Sequence, residues 1–225
     1  MTINATVPVH ASEDITDADR PRSNRAASRQ LVLSQDGQDL LFRHARTANT
    51  FTDELISDEQ VRAIYDLAKW APTSMNTQPL RVLLVRSPEA RDRLVQTMAD
   101  GNKAKTAGAP LVAILAADHS FHDELPKTLP HFTGARALFA DNDALRAQTA
   151  ETNATLQVAY FILATRAAGL AAGPMTGFNA GALNDSFFAD GAHKVVAVVN
   201  IGKPGQDAWK DRLPRLDFDE VVTTV

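Results

Sequence analysis

Between residues 144 and 168 the sequence keeps apolar side chains at helical spacing for about seven turns, and it does so on more than one side. Leu156, Ala159, Tyr160, Leu163 and Ala167 share one face, while Val158, Phe161 and Ile162 make other faces apolar too. A helix of this kind needs cover on more than one side, in a core or in a subunit interface. Gly169 follows directly and suits a C-cap, the position where a residue without Cβ reverses the chain. Every other element has to pack around this one.

The surrounding pattern mixes the two periodicities. Residues 111–117 and 194–201 are continuous apolar runs of strand length, the kind that are covered on both faces. A third apolar strand reads from 80 to 85, and a short extended piece ends at Gly173. Helices are predicted over 38–44, from Ser57 to a stop at Pro72, from Ser87-Pro88 to about Met98, and over 182–188. Ser57 with Gln60 three residues on is a capping-box pattern, and Pro88 occupies a favoured first helical position. Residues 118–142 hold two prolines and a glycine and read as a long irregular connection with short helical pieces. Connections of that length inside one domain more often carry function than not. The order shows neither successive βαβ units nor an internal repeat, so the expected class is α+β.

Composition removes several classes of function. The 225 residues suffice for one domain, read as residues 31–225 behind a polar tail, 1–30, with no secretory h-region. A net charge of -4 offers no nucleic-acid footprint, and no apolar run approaches the ~18 residues of a membrane span. With no cysteine there is no disulfide, thiolate metal site or thiol nucleophile, and a cytoplasmic location is expected. No G-x-G-x-x-G, Walker loop, H-E-x-x-H or G-x-S-x-G is present. His119 and His122 stand among Asp118, Asp123 and Glu124 without a matching ligand pair upstream, so no metal site is expected.

The remaining chemistry suits a phosphate and a polar heteroaromatic ring. Arg46, Lys210 and Arg212 are cations from opposite ends of the chain that a fold could gather on one dianion, Arg in bidentate fashion. Asn102 and Lys105 would point the same way on a helical turn. Gly173-Pro174-Met175-Thr176-Gly177 is a turn with accessible backbone groups. Taken singly, each cation is more often a surface charge, the Asn102–Lys105 pair reads as a polar turn, and Gly173–Gly177 reads as an ordinary helix-to-strand connection.

In order along the chain these segments resemble the nitroreductase superfamily. Ala45-Arg46-Thr47-Ala48-Asn49 is similar to its N-terminal phosphate-binding segment, and Pro72-Thr73-Ser74-Met75-Asn76-Thr77-Gln78-Pro79 to its P-[ST]-S-x-N-x-Q-P loop. Asn102-Lys103-Ala104-Lys105 fits an N-x-x-K turn, and the helix containing Leu156-Gln157-Val158-Ala159-Tyr160 resembles the central dimerisation helix. Gly173 to Phe178 resembles the flavin-edge loop and Lys210-Asp211-Arg212-Leu213-Pro214 the C-terminal phosphate clamp. Within the superfamily, the stretch from Leu125 through His131 to Arg136, the loop at Thr176 and the run from Arg212 to Phe218 look most like the malonic semialdehyde reductase branch of pyrimidine degradation. Thr176 stands where many nitroreductases carry a Glu, and Met75-Asn76-Thr77-Gln78 is nearer to general nitroreductases.

The resemblance implies a nitroreductase-like fold, a central, mainly antiparallel sheet wrapped by helices, in an intertwined homodimer with FMN at the subunit interface. It implies an FMN-dependent oxidoreductase using NADPH or NADH by ping-pong hydride transfer, with malonic semialdehyde reduced to 3-hydroxypropionate. By the same resemblance Arg46, Lys210 and Arg212 hold the phosphate, Thr47 and Asn49 approach the ribityl chain or ring, and Asn102 and Lys105 approach the pyrimidine edge. Pro174, Met175, Thr176 and Gly177 face flavin N5, and Pro72, Thr73, Ser74 and Asn76 come from the other subunit. No separate catalytic side chain is required. Arg136, and less so His131, are the candidates for the substrate carboxylate. The alternatives are a broad nitroaromatic or quinone reductase, a flavin-binding or flavin-consuming protein without reductase turnover, and a structural member that has lost the flavin.

Overall fold

The computed structural model describes residues 31–225, and the expected tail, residues 1–30, lies outside them. The first element, α1 (Gln35–Gln38), runs on as a π-helical turn, Asp39–Arg43. It therefore starts three residues before the expected 38–44, because Ser34 Oγ accepts from Gly37 N and caps the turn ahead of the apolar residues. Helix α2 (Asp58–Ala68) begins at the Ser57 capping box, with both reciprocal bonds formed. It ends at Ala68, four residues before Pro72, because residues 70 and 71 close with shorter i→i−3 turn bonds and Pro72 then forbids continuation.

Four strands form one antiparallel sheet: β1 (Leu80–Val85), β2 (Leu111–Asp118), β3 (Ala171–Met175) and β4 (His193–Gly202), in the order β1-β2-β4-β3. All eight residues of β2 are buried, as its unbroken apolar character required. Their alternation divides the core. Leu111, Ala113 and Leu115 join Ile64 and Ala68 of α2 on one face, whereas Val112, Ile114 and Ala116 join the other. That second face is covered by α3 (Pro88–Thr97) and α8 (Ala180–Phe187), through Leu94, Met98 and Leu183. Between α3 and β2 lies α4 (Asp100–Ala107). A bulge between Leu115 and Ala116 shifts the β2–β4 register near the start of the long connection.

That connection folds as a 3₁₀ turn, Phe121–Glu124, followed by α5 (Leu125–Thr128) and α6 (Ala137–Ala140). It carries its own small core, in which Phe121 and Phe139 meet edge to face with centroids 5.1 Å apart. The long helix, α7 (Asp143–Ala167), packs on the sheet through Val158, Phe161 and Ala164 and on the connection through Ala150 and Ala154. It ends in a Schellman motif: Gly169 N donates to Arg166 O and Leu170 N to Thr165 O, with Gly169 at φ +72°. The core side of α7 is thus the Val158–Phe161 side. The stripe of Leu156, Ala159, Tyr160 and Ala167 faces outward, and Leu41, Leu67, Tyr160, Leu163, Ala164 and Ala167 line a shallow, open apolar groove on it. After β4 the chain runs on as an exposed arm to a last turn, α9 (Phe218–Val221). Among the described residues no helix is long and apolar enough to cross a membrane.

Candidate functional site

Two segments far apart in sequence, 43–52 and 203–212, meet at the β3 edge of the sheet. Asn49 N donates to Ala208 O (2.9 Å), Gly205 N to Thr50 O (3.1 Å), and Thr52 N to Lys203 O (3.0 Å). Arg212 Nη2 reaches back to Arg43 O and, at 3.2 Å, to Ala45 O. The Arg46 guanidinium lies 6.0 Å from the centre of the Trp209 ring. Arg46 and Arg212 are therefore held in one neighbourhood although 166 positions separate them, and exposed Lys210 lies between Trp209 and Arg212 in sequence. The Asn49 amide donates to Thr47 O and Ala208 O, each at 3.4 Å, which joins the two segments further.

The turn after β3 stands next to this cluster. Gly173 packs so tightly that an added Cβ would meet Ala48 O at 3.0 Å. Asn102, near the start of α4, donates its amide to Gly177 O (2.8 Å), as does Ala99 N (3.0 Å). A Cβ on Gly177 would stand 2.7 Å from Asn102 Nδ2. Asn102 and Lys105 are on the helical turn that their spacing suggested, and both are half-buried. At the far end of α4, Asn200 Nδ2 donates to Lys105 O (3.0 Å). Asn200 is fully buried on β4, and its Oδ1 has no partner. The expected residues Arg46, Thr47, Asn49, Asn102, Lys105, Pro174, Met175, Thr176, Gly177 and Arg212 thus belong to segments that converge.

Pro72, Thr73, Ser74 and Asn76 do not join them. Their loop enters β1, at the opposite edge of the sheet from β3. It is conformationally demanding: Met75, Asn76 and Gln78 all have positive φ (52°, 51° and 44°) without being glycine. Such backbone costs energy and persists only when the surroundings over-determine it. Here Asn153 Oδ1 accepts from Ser74 N (2.7 Å), Gln157 Oε1 accepts from Leu80 N (2.9 Å), and Asn76 Nδ2 donates to Thr128 O (2.7 Å). The loop is therefore tied to α7 and to the long connection, which also carries His131 and Arg136, both exposed. Arg136 gives Nε and Nη2 to Asp123 Oδ1, each at 2.8 Å. No cluster of three or more His, Asp or Glu suited to a metal occurs among the described residues; His119 lies 3.6 Å from Glu151 and His122 3.9 Å from Asp123.

Sequence reading missed four residues. Asn153 and Gln157 are amides at i, i+4 on the inward side of an apolar helix, a visible signal. Asn200 is a lone amide in an otherwise apolar strand, and Trp209 adjoins the cationic Lys210–Arg212 segment. A phosphate-bearing cofactor with a flat polar ring fits the β3-edge site. It offers guanidinium groups, amide donors, and a backbone turn in which a Cβ on Gly177 would displace the Asn102 amide.

A family model described as the Nitroreductase family matches residues 42–203. A protein of Streptomyces griseus provisionally named NADH dehydrogenase/NAD(P)H nitroreductase is 63% identical over 195 residues, covering 87% of this chain and 99% of its own. A similarly named protein of Leptothrix cholodnii is 47% identical over 189 residues, with 84% and 93% covered. Among solved structures, a nitroreductase from Exiguobacterium sibiricum in complex with FMN superposes with a TM-score of 0.75 at 19% identity, covering 85% of this chain and 98% of that one. One from Bacillus subtilis gives a TM-score of 0.75 at 22% identity, with 85% and 100% covered. At these identities the structural likeness is one of fold.

Proposed function

The chain belongs to the nitroreductase family and is an FMN-dependent NAD(P)H oxidoreductase; we propose that its flavin site is the β3-edge cluster. The observation that supports this location is the convergence of the Arg46–Asn49, Asn102–Lys105, Pro174–Gly177 and Arg212 segments. Bound FMN supplies two-electron, hydride-carrying chemistry, so that NADH or NADPH and a second substrate use one pocket in turn. The chain's own residues bind and bias it. Arg46, Lys210 and Arg212 hold the phosphate, with Thr47 and Asn49 along the ribityl chain or ring edge. The backbone of Pro174, Met175, Thr176 and Gly177 lines the reactive side. Asn102 and Lys105 stand at the pyrimidine edge, where a fixed donor and cation favour the more negative, reduced form.

The protein works as a homodimer in this reading. Pro72, Thr73, Ser74 and Asn76 lie three strands away from the β3 edge, a spacing of about 14 Å at the usual strand separation. They serve the flavin of the second subunit. The outward Leu156–Tyr160 stripe, with exposed Leu67, is the surface that pairing would cover. The acceptor is malonic semialdehyde, reduced at the aldehyde carbon to 3-hydroxypropionate, with its carboxylate on Arg136. A second reading, nitroaromatic or quinone reduction, is favoured by the Arg136–Asp123 pair, which already neutralises that cation. Anaerobically reduced, FMN-loaded protein mixed with each acceptor class separates them. Reoxidation by malonic semialdehyde, faster than by nitroaromatics or quinones, is expected; the reverse order replaces the first acceptor with the second. Failure of both NADH and NADPH to bleach the flavin would remove the reductase activity itself.

A further inference from the structure

Resting on the flavin reading above, we infer that Asn200 is a positioning residue that sets Lys105 relative to the flavin ring and thereby the poise of the bound cofactor. Strand β4 is otherwise apolar from Val195 to Ile201, and Asn200 is its one fully buried amide. Packing alone would select an aliphatic side chain here, since the buried Oδ1 has no partner and such an atom carries a desolvation cost. What the amide does achieve is one bond, Asn200 Nδ2 to Lys105 O at 3.0 Å. Lys105 lies in the last turn of α4, where main-chain carbonyls lack partners within the helix.

Helix α4 is thus fixed at both ends, to the cofactor turn at the first and to β4 at the second. Asn102 holds Gly177 O at the first, and Asn200 holds Lys105 O at the second. Arg91 of α3 secures the following residues from another side, through Thr106 O and Ala109 O. The Arg91 contacts anchor the end of α4 to α3, whereas Asn200 alone ties Lys105 to the sheet strand that pairs with β3 in the register Gly173↔Asn200. Met175 Sδ, 4.0 Å from Asn200 Nδ2 and 3.8 Å from Thr106 Oγ1, fills the space between helix and turn. Loss of the amide leaves α4 folded but lets the Lys105 turn shift relative to Pro174–Gly177. A displaced cation gives up part of its preference for the reduced flavin, so the midpoint potential moves to a more negative value.

The test is a double-mutant cycle on FMN-loaded protein, with Asn200→Leu, Lys105→Gln and the combined variant. The readouts are the midpoint potential and the dissociation constant of oxidised FMN. Asn200→Leu should leave oxidised FMN bound within about threefold of wild type, because the phosphate contacts are untouched. It should shift the potential in the same direction as Lys105→Gln, and the combined variant should add nothing to Lys105→Gln alone. Unchanged potential in Asn200→Leu, or additive shifts in the double variant, would overturn the inference. If Asn200→Leu does not fold, the smaller Asn200→Ala removes the amide donor without adding charge and should give the same non-additive shift. Wild-type protein that takes up no FMN would instead remove the flavin reading on which the inference stands.

Discussion

Gly177→Ala is the sharpest probe of the cofactor turn. The added methyl would meet Asn102 Nδ2 at 2.7 Å and Ala99 Cβ at 3.5 Å. The first distance is untenable, and the atom that must yield is the end of a side chain. The Asn102 amide therefore swings away and loses its 2.8 Å bond to Gly177 O. Gly177 O keeps Ala99 N at 3.0 Å, so no acceptor is orphaned and the loss is about 1 kcal/mol. In a domain of this size that lowers Tm by about 2–4 °C. If Asn102 also contacts the ring, a second bond of similar strength is lost on binding, and the FMN dissociation constant rises about five- to tenfold. Gly169→Ala is the matched control. There φ is +72° and nothing lies within 4 Å, so the cost, about 1 kcal/mol, is backbone strain alone at the opposite end of β3. Thermal unfolding without added FMN, paired with titration of FMN by fluorescence quenching, measures both quantities separately. The argument fails if Gly177→Ala binds FMN within twofold of wild type, or if the two variants lose equal affinity.

Ser57→Ala removes the side-chain half of the α2 capping box and should cost about 1 kcal/mol, read as a Tm about 2–4 °C lower with FMN affinity unchanged. Arg212→Ala should raise the FMN dissociation constant at least about tenfold and flatten its dependence on salt, measured at two ionic strengths; an unaltered salt dependence would take Arg212 off the phosphate. Asn153→Ala strips Ser74 N of its acceptor beneath a loop with three positive φ values, so stability should fall by about 1–3 kcal/mol in a denaturant titration. Arg136→Ala breaks only an exposed ion pair and should leave Tm unaltered, while the KM for malonic semialdehyde rises severalfold at constant kcat. An unchanged KM would remove Arg136 from the substrate site.

Secondary structure was readable wherever a local rule sufficed. The Ser57–Gln60 box, Pro88 at the first helical position, the Gly169 terminus and the three apolar strands all fall where their chemistry puts them. The orientation of α7 was not readable. With apolar residues on every side, the stripe at Leu156, Ala159, Tyr160 and Leu163 and the side at Val158 and Phe161 carry equal weight in sequence, and only the sheet's position selects the second as core. The start of α1 was missed because Ser34, a single capping hydroxyl, outweighs the hydrophobic pattern. For the site, the meeting of the Arg46 and Arg212 segments was expected through the family resemblance and not from any local rule, since the Asn49–Ala208 and Arg212–Ala45 bonds join residues some 160 positions apart. Asn200 escaped notice because its function depends on a helix that approaches from 95 positions away.

Strand β3 is five residues long, lies at the rim of the sheet and contains Pro174, which has no N–H to offer a neighbouring chain. An open sheet rim is normally a template on which further strands add, and short length together with proline is how such rims are made unreceptive. The turn beyond it can therefore keep its carbonyls and amides exposed to a small molecule without inviting polymerisation. Valine in place of Pro174 would restore an N–H to this strand and remove that safeguard.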